Sequence, residues 1–554
     1  MSTATGMAPA PILSTVRQLV LHLLFFILLM VFTSGLASLL TSVFQGFAVD
    51  EFGSTQLPLA LAQTIIAGPL AWILWRQLRR FLSIQRENSS LVWSVQAAAV
   101  YALAAMISVH NFSVLFGQLA AGRPGYWQDQ LGLGVAWGVL AFWQHRILRQ
   151  PEIAPRRLPN LGWQVASYYF LLVAALSLAA LLYLGLGSIL PHDALTHIYG
   201  AANLPMLVNI CVWVLINALM WAWHWFGLRL RFAQDAVAQL ALVVASAVAS
   251  LACLLGSVFS LASVLPLPMD ADSVSGRIAQ DLPLAAGFAL AGALAWVYFA
   301  AVLAQANAWL REAGRQVVSG IALVLAASGF GMIINALLTA FNAPLMGNSA
   351  SEILRVGTAL LLVGMVSWLV FWRPAIHAPA EHRRVYLTLV FGVSALVALV
   401  ALIVVGYRIF AYFLTPEQVG PTLLGEVRAA LGLLIATTVV AGYHFAVWRS
   451  DRSQLRRPVA GSPTASEFTA APARNDSLSA LTLVTDQGNA HLAAQLQQLT
   501  GLPVQHLVRT DASAKPVTDA VELSTRLDEL PPGTRQALLL LHGEEVLIVP
   551  VEAQ

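Results

Sequence analysis

Residues 71–80 read AWILWRQLRR, an apolar run with two tryptophans and then three arginines within five residues. Two roles fit such a stretch. It could be a pocket for an anion, or the point where a helix leaves a bilayer, with its indole at headgroup level and its guanidiniums on phosphate. The surrounding text decides between them. The apolar run begins near residue 57, and about 20 apolar residues cross roughly 30 Å of hydrocarbon. The same ending then recurs: FWQHRIL from Phe142, WHWFGLRLR from Trp223, FWRPAI from Phe371 and VWRSDR from Val447. A device repeated at so many helix ends is an anchor before it is a ligand site.

The composition agrees. The 554 residues are 58% apolar and 10% charged, with a mean hydropathy of +0.73, whereas a soluble domain carries about 25% charged residues. Apolar stretches lie at about 16–45, 57–75, 91–118, 131–147, 162–190, 204–227, 235–265, 282–308, 316–342, 354–372, 384–413 and 427–448. That makes twelve expected transmembrane helices. The first run is too long for the core of a cleaved signal peptide and reads as a retained helix.

The arginines alternate with these spans. Twenty fall at one set of ends, namely Arg17, Arg76, Arg79, Arg80, Arg86, Arg146, Arg149, Arg156, Arg157, Arg229, Arg231, Arg311, Arg315, Arg373, Arg383, Arg384, Arg449, Arg452, Arg456 and Arg457. The opposite set holds Arg123, Arg277, Arg355, Arg408 and Arg428. Positive charge stays inside, so both termini are expected on the cytoplasmic side of the cell membrane. Lipid-headgroup anchors are expected at Trp75, Arg76, Arg79, Arg80, Trp143, Arg146, Trp225, Arg229, Trp372, Arg373, Trp448 and Arg449.

Trp75 and Trp448 are five periods of about 75 residues apart, which makes the repeat a two-helix hairpin in six copies. The odd spans open alike, with VRQLVLHLLFF, GWQVASYYFLL, GRQVVSGIALV and HRRVYLTLVFG. These openings, the paired spans and the W-x-x-x-R-like endings resemble a bacterial multipass family known only as a domain of unknown function, in which four-helix units occur singly or in tandem. The resemblance spans about residues 16–448 as three tandem units, and it implies no substrate, cofactor or catalytic residue.

Four regions follow: a cytoplasmic tail at 1–15, the membrane domain at 16–448, a Pro-, Ala-, Ser- and Thr-rich linker at 449–477, and a cytoplasmic domain at 478–554. In the last region ALTLVT, PVQHLVR and QALLLLHGEEVLIVPVE read as strands. NAHLAAQLQQLTG and AVELSTRLDEL read as helices, with Gly501 ending the first. The fold class is therefore all-α polytopic membrane protein plus a small α/β (βαβαββ) domain. Its nine carboxylates (Asp486, Asp511, Asp519, Glu522, Asp528, Glu529, Glu544, Glu545 and Glu552) outnumber Arg509, Lys515, Arg526 and Arg535. That is the reverse of what a nucleic-acid binder needs, and a docking or regulatory role follows.

Span interiors carry no deep Lys, Asp or Glu of the kind that ion-coupled carriers use. The polar seam is the sixth span, where Asn209, Trp213, Asn217, Trp221 and Trp225 recur every four residues and His224 lies close to the same face. These are the candidate ligand or pore-lining residues, and interhelical packing is the competing role. His22, Asn335 and the pair His110-Asn111 read as packing groups. No metal-ligand or nucleophile motif appears, Cys211 and Cys253 lie in apolar runs, and no cofactor or catalytic residue is expected. Two small-residue stripes, Gly287-Ala291-Ala295 and Ala245-Ala249-Cys253, would join helices within one chain or between two. The expected function is a non-enzymatic membrane scaffold or sensor that contacts membrane lipids and a protein partner or its own copies, with no nucleic acid. The alternative is a transporter or channel for an apolar or weakly polar solute.

Overall fold

The computed structural model describes residues 11–46, 56–84, 89–123, 125, 127–189, 203–230, 235–266, 274–306, 308–340, 350–376, 380–414, 422–456, 478–485, 490–508, 523, 527, 536–542 and 545–551. The chain divides into two compact parts, residues 1–453 and 454–554.

The first part is built of long helices. α1 is Pro11–Phe44. α2 runs as Gln56–Ala62, a π-helical turn Gln63–Ala67, and Gly68–Ile84. Then come α3 (Leu91–Ala120), α4 (Trp127–Leu148) and α5 (Leu161–Ile189), followed by α6 (Asn203–Ala222, ending in a π-helical turn Trp223–Gly227). α7 is Ala236–Val264 and α8 is Leu282–Ala304. The last four are α9 (Ala308–Ala340), α10 (Ala350–Ile376), α11 (Ala380–Leu414) and α12 (Leu423–Arg456). Every expected span falls on one of these helices.

Eleven of them, among the described residues, are long and apolar enough to cross a membrane. The exception is α4. At 22 residues it is about 33 Å long, sufficient to cross, but it carries Gln128, Asp129, Gln130, Gln144, His145 and Arg146. Two of these face protein: Gln144 and His145 are buried, and Gln144 donates to the Ala97 carbonyl of α3 (3.3 Å).

α4 packs on α1 and α3. α5 packs on α3, α6 and α8, α7 lies along α8, and α9 lies along α10. Small residues set the closest pairs, because without a hydrophobic force between helices in lipid, backbone approach supplies the attraction. A Cβ on Gly292 of α8 would stand 2.5 Å from the Cys253 nitrogen and 3.0 Å from the Ala249 oxygen of α7. One on Gly287 would stand 2.6 Å from the Ala179 oxygen of α5. Both small-residue stripes thus join helices of this one chain.

In the second part, four strands, β1 (Ala480–Thr485), β2 (Val504–Val508), β3 (Gln536–His542) and β4 (Glu545–Val551), form one sheet in the order β2-β1-β3-β4. β1 pairs parallel with β2 and β3, and β3 pairs antiparallel with β4 as a hairpin. α13 (Ala490–Thr500) connects β1 to β2. It stops where expected, at Gly501, whose φ of +68° supplies the left-handed cap. Alternation puts Leu481, Leu483, Ala537 and Leu539 on one face of the sheet, where they meet Leu492 and Leu496 of α13 and the helical pair Leu523 and Leu527. The rest of the second expected helix lies outside the described residues.

Candidate functional site

The polar seam of α6 runs against α3. Asn217 is 2% exposed, and its Nδ2 donates to the Trp213 carbonyl (2.9 Å) and to Ser113 Oγ of α3 (3.4 Å). His224, fully buried in the π-helical turn, contacts the Met220 carbonyl through Nδ1 (2.7 Å) and the Tyr101 hydroxyl of α3 through Nε2 (2.8 Å). A carbonyl can only accept, so Nδ1 carries the proton and Nε2 accepts from Tyr101. Farther along, Trp213 meets His110 edge-on with ring centroids 5.2 Å apart. Asn209 lies against Gly117 of α3, the position at which a Cβ would collide with its side chain. Four of the six seam residues therefore make a zipper between α3 and α6. Tyr101, Ser113 and Gly117 are its other half, which α6 read alone does not reveal.

Trp221 and Trp225 belong to a second arrangement, which occurs twice in full and a third time in altered form. Trp225 donates its indole N–H to Tyr298 of α8 (2.5 Å), and Trp221 stacks on Trp225 (6.4 Å, 19°) while meeting Tyr298 edge-on (5.6 Å, 83°). In α10 and α12, Trp372 donates to Tyr443 (2.8 Å), and Trp368 stacks on Trp372 (6.1 Å, 13°) and meets Tyr443 edge-on (5.3 Å, 76°). In α2 and α4, Trp75 meets Trp143 edge-on at 5.1 Å. Trp75, Trp225 and Trp372 are all buried. Their indoles fill the space between helices, which corrects their reading as headgroup anchors. Trp143 and Trp448 are half-buried. The outward-facing indoles belong to Trp72, Trp223 and Trp309. Arg76, Arg79, Arg80, Arg146, Arg229, Arg373 and Arg449 are exposed.

The arrangement around Trp75 differs from the other two in its partner, which is Trp143 where they have Tyr298 and Tyr443, and in the residue one turn earlier. Four residues before the buried tryptophan, where the others have Trp221 and Trp368, stands Ala71. Phe25 of α1 stacks on Trp75 from one side (5.7 Å, 19°). What remains is a cavity of about 790 Å³ between α1, α2 and α4, apolar except for Thr33 and Thr64. Thr64 sits in the π-helical turn that Pro69, lacking an amide hydrogen, helps to set.

Two further histidines of the membrane helices are packing groups. His22 Nδ1 is bonded to Gln96 Oε1 of α3, and His444 Nδ1 contacts the Val440 carbonyl (2.8 Å). Among the described residues no cluster of three or more His, Cys, Asp or Glu side chains occurs.

Residues 18–143 and 312–442 match the family model of a domain of unknown function, DUF5671. The two matches together cover just under half of the chain. The two matches fall on α1–α4 and on α9–α12. They contain Trp75 with Trp143, and Trp372 with Trp368. The helices α5–α8 lie between the DUF5671 regions, so the resemblance expected over about 16–448 is found at its two ends. No curated protein and no solved structure matches the chain.

Proposed function

We propose that this protein is a non-enzymatic scaffold or sensor of the cytoplasmic membrane, with both termini in the cytoplasm. Its helix array holds lipid and protein partners or further copies of itself, and its acidic α/β domain docks or regulates without touching nucleic acid. The observation that carries this reading is the zipper between α3 and α6. Asn217 and His224, the polar groups best suited to line a solute path, are engaged with Ser113 and Tyr101 of a neighbouring helix. A side chain that holds two helices together is poorly placed to exchange its hydrogen bonds with a passing solute. The twenty-against-five arginine asymmetry supports the orientation.

Native mass spectrometry of the full chain, gently extracted from its own membrane, tests this. Stoichiometric protein subunits or a defined oligomer are expected. Deletion of residues 478–554 should remove at least one partner while leaving the membrane helices folded. A bare monomer that moves a solute, with flux abolished by Asn217→Leu in folded protein, would overturn the scaffold reading and favour a channel along α6.

A further inference from the structure

A cavity between α1, α2 and α4 lies against Ala71, at the position where the other two aromatic arrangements carry Trp221 and Trp368. In those two arrangements the indole stacks on the buried tryptophan about 6 Å away at 13–19°. Here the cavity beside Ala71 measures about 790 Å³ and is lined by such residues as Phe25, Leu29, Leu140 and Trp143. A volume of this size, apolar with a few polar atoms, is typical of pockets that hold one elongated apolar molecule.

The charge at its rim narrows the choice of occupant. The cavity reaches Trp75 and Trp143, whose rings touch. Immediately beyond these two indoles stand Arg76 in α2 and, three residues on, Arg146 in α4. Arg79 and Arg80 follow one turn later. All four side chains are exposed, and among the described residues none of them is paired with a carboxylate. Arg146 is steadied over the Phe142 ring (5.1 Å). An apolar slot whose two indoles are followed within about a turn of helix by four exposed arginines matches a molecule with a hydrocarbon tail and an anionic head. Guanidiniums recognise phosphate through paired N–H donors, and the phospholipid of the surrounding bilayer is the source at hand.

We propose that the first DUF5671 region binds one anionic phospholipid, an acyl chain filling the space beside Ala71 and the phosphate held by Arg76, Arg79, Arg80 and Arg146. This site stands whether or not the protein is a scaffold. Exposed tryptophan–arginine pairs elsewhere contact lipid in passing, whereas this slot retains it.

The test uses the full chain in detergent, with phosphatidylglycerol or phosphatidylcholine added and then washed, and retained lipid counted by native mass spectrometry. About one phosphatidylglycerol per chain is expected, in preference to phosphatidylcholine. Ala71→Trp, which restores the indole found at Trp221 and Trp368, should cut retention at least tenfold with helicity unchanged. The combined Arg76→Gln, Arg79→Gln, Arg80→Gln and Arg146→Gln variant should erase the preference, each arginine being worth about fivefold. Wild-type retention in folded Ala71→Trp, or equal retention of the two lipids by the wild type, would overturn the proposal. Should Ala71→Trp fail to fold, a phosphatidylglycerol with a photoreactive acyl chain decides on the wild type. Labelling concentrated on peptides containing Thr33 and Thr64 supports the site. Labelling no greater there than on lipid-facing residues of α11 such as Leu396 and Ile403 refutes it.

Discussion

The hydrogen bond between Tyr101 and His224 is the sharpest point at which the zipper between α3 and α6 can be tested. Both side chains are buried, and the O···N distance is 2.8 Å. The other imidazole nitrogen is bonded within its own helix, to Met220, so only the Nε2 bond crosses between helices. Tyr101→Phe removes the donor and leaves the ring in place, stranding a buried acceptor at a cost of about 1–2 kcal/mol. His224→Phe strands the tyrosine hydroxyl instead. In the double variant neither group is orphaned, so the two losses should not add. The coupling expected for a hydrogen bond between membrane helices is ~0.6–1.7 kcal/mol. Reversible unfolding of the purified protein by sodium dodecyl sulfate in mixed micelles, followed by far-ultraviolet circular dichroism, measures all four corners of the cycle. Additivity to within about 0.3 kcal/mol, the level found for independent sites, would refute an energetic link between the two side chains and with it the reading of the seam as a zipper.

Other outcomes follow from the same structure. Gly292→Leu should destabilise the membrane helices by about 2 kcal/mol or more, because its side chain would meet the backbone of Cys253 rather than a movable side chain; unchanged unfolding would mean that α7 and α8 do not approach as described. The number of crossings fixes the relation of the termini: if α4 spans with the other eleven helices, both termini lie on one side, which paired reporter fusions at residues 1 and 554 would read directly, and opposite sides would show that α4 does not cross. Leu483→Ala, at a fully buried position of β1, should cost about 2–5 kcal/mol, a large part of what a domain this small can hold. Limited proteolysis should then cleave within 478–554 while the membrane helices stay intact. The ion pair of Arg408 and Glu426 (2.7 Å) is half-exposed on its arginine side, so Arg408→Gln should shift stability by less than about 1 kcal/mol.

Much of this was legible in the residues. Span positions came from uninterrupted apolar length, because the bilayer fixes how much chain a crossing needs. β1, β2 and the β3–β4 hairpin were readable from alternation and the glycine near the turn, and the end of α13 from Gly501. The candidate site was half legible. Four-residue spacing placed Asn209, Trp213 and Asn217 on one face of α6, but spacing within a helix carries no information about the helix opposite. Ser113 and Tyr101 lie 104 and 123 residues away from their partners. For the same reason Trp75, Trp225 and Trp372 resembled headgroup anchors. A tryptophan beside an arginine at a helix end has the same text whether its ring turns toward lipid or inward.

Sequence alone thus determined the membrane class, the helix ends, the arginine asymmetry and the acidity of the α/β domain, because these depend on composition along one dimension and on the thickness of the solvent the chain must cross. The tertiary structure decided which side of each helix meets protein. That placed the α6 seam against α3, turned three tryptophans inward, and left a cavity beside Ala71, where the other two arrangements carry a tryptophan. Those outcomes depend on which helices become neighbours, and in a bilayer, where lipid is as apolar as the helix surfaces, small residues and hydrogen-bond partners distant in the chain make that choice.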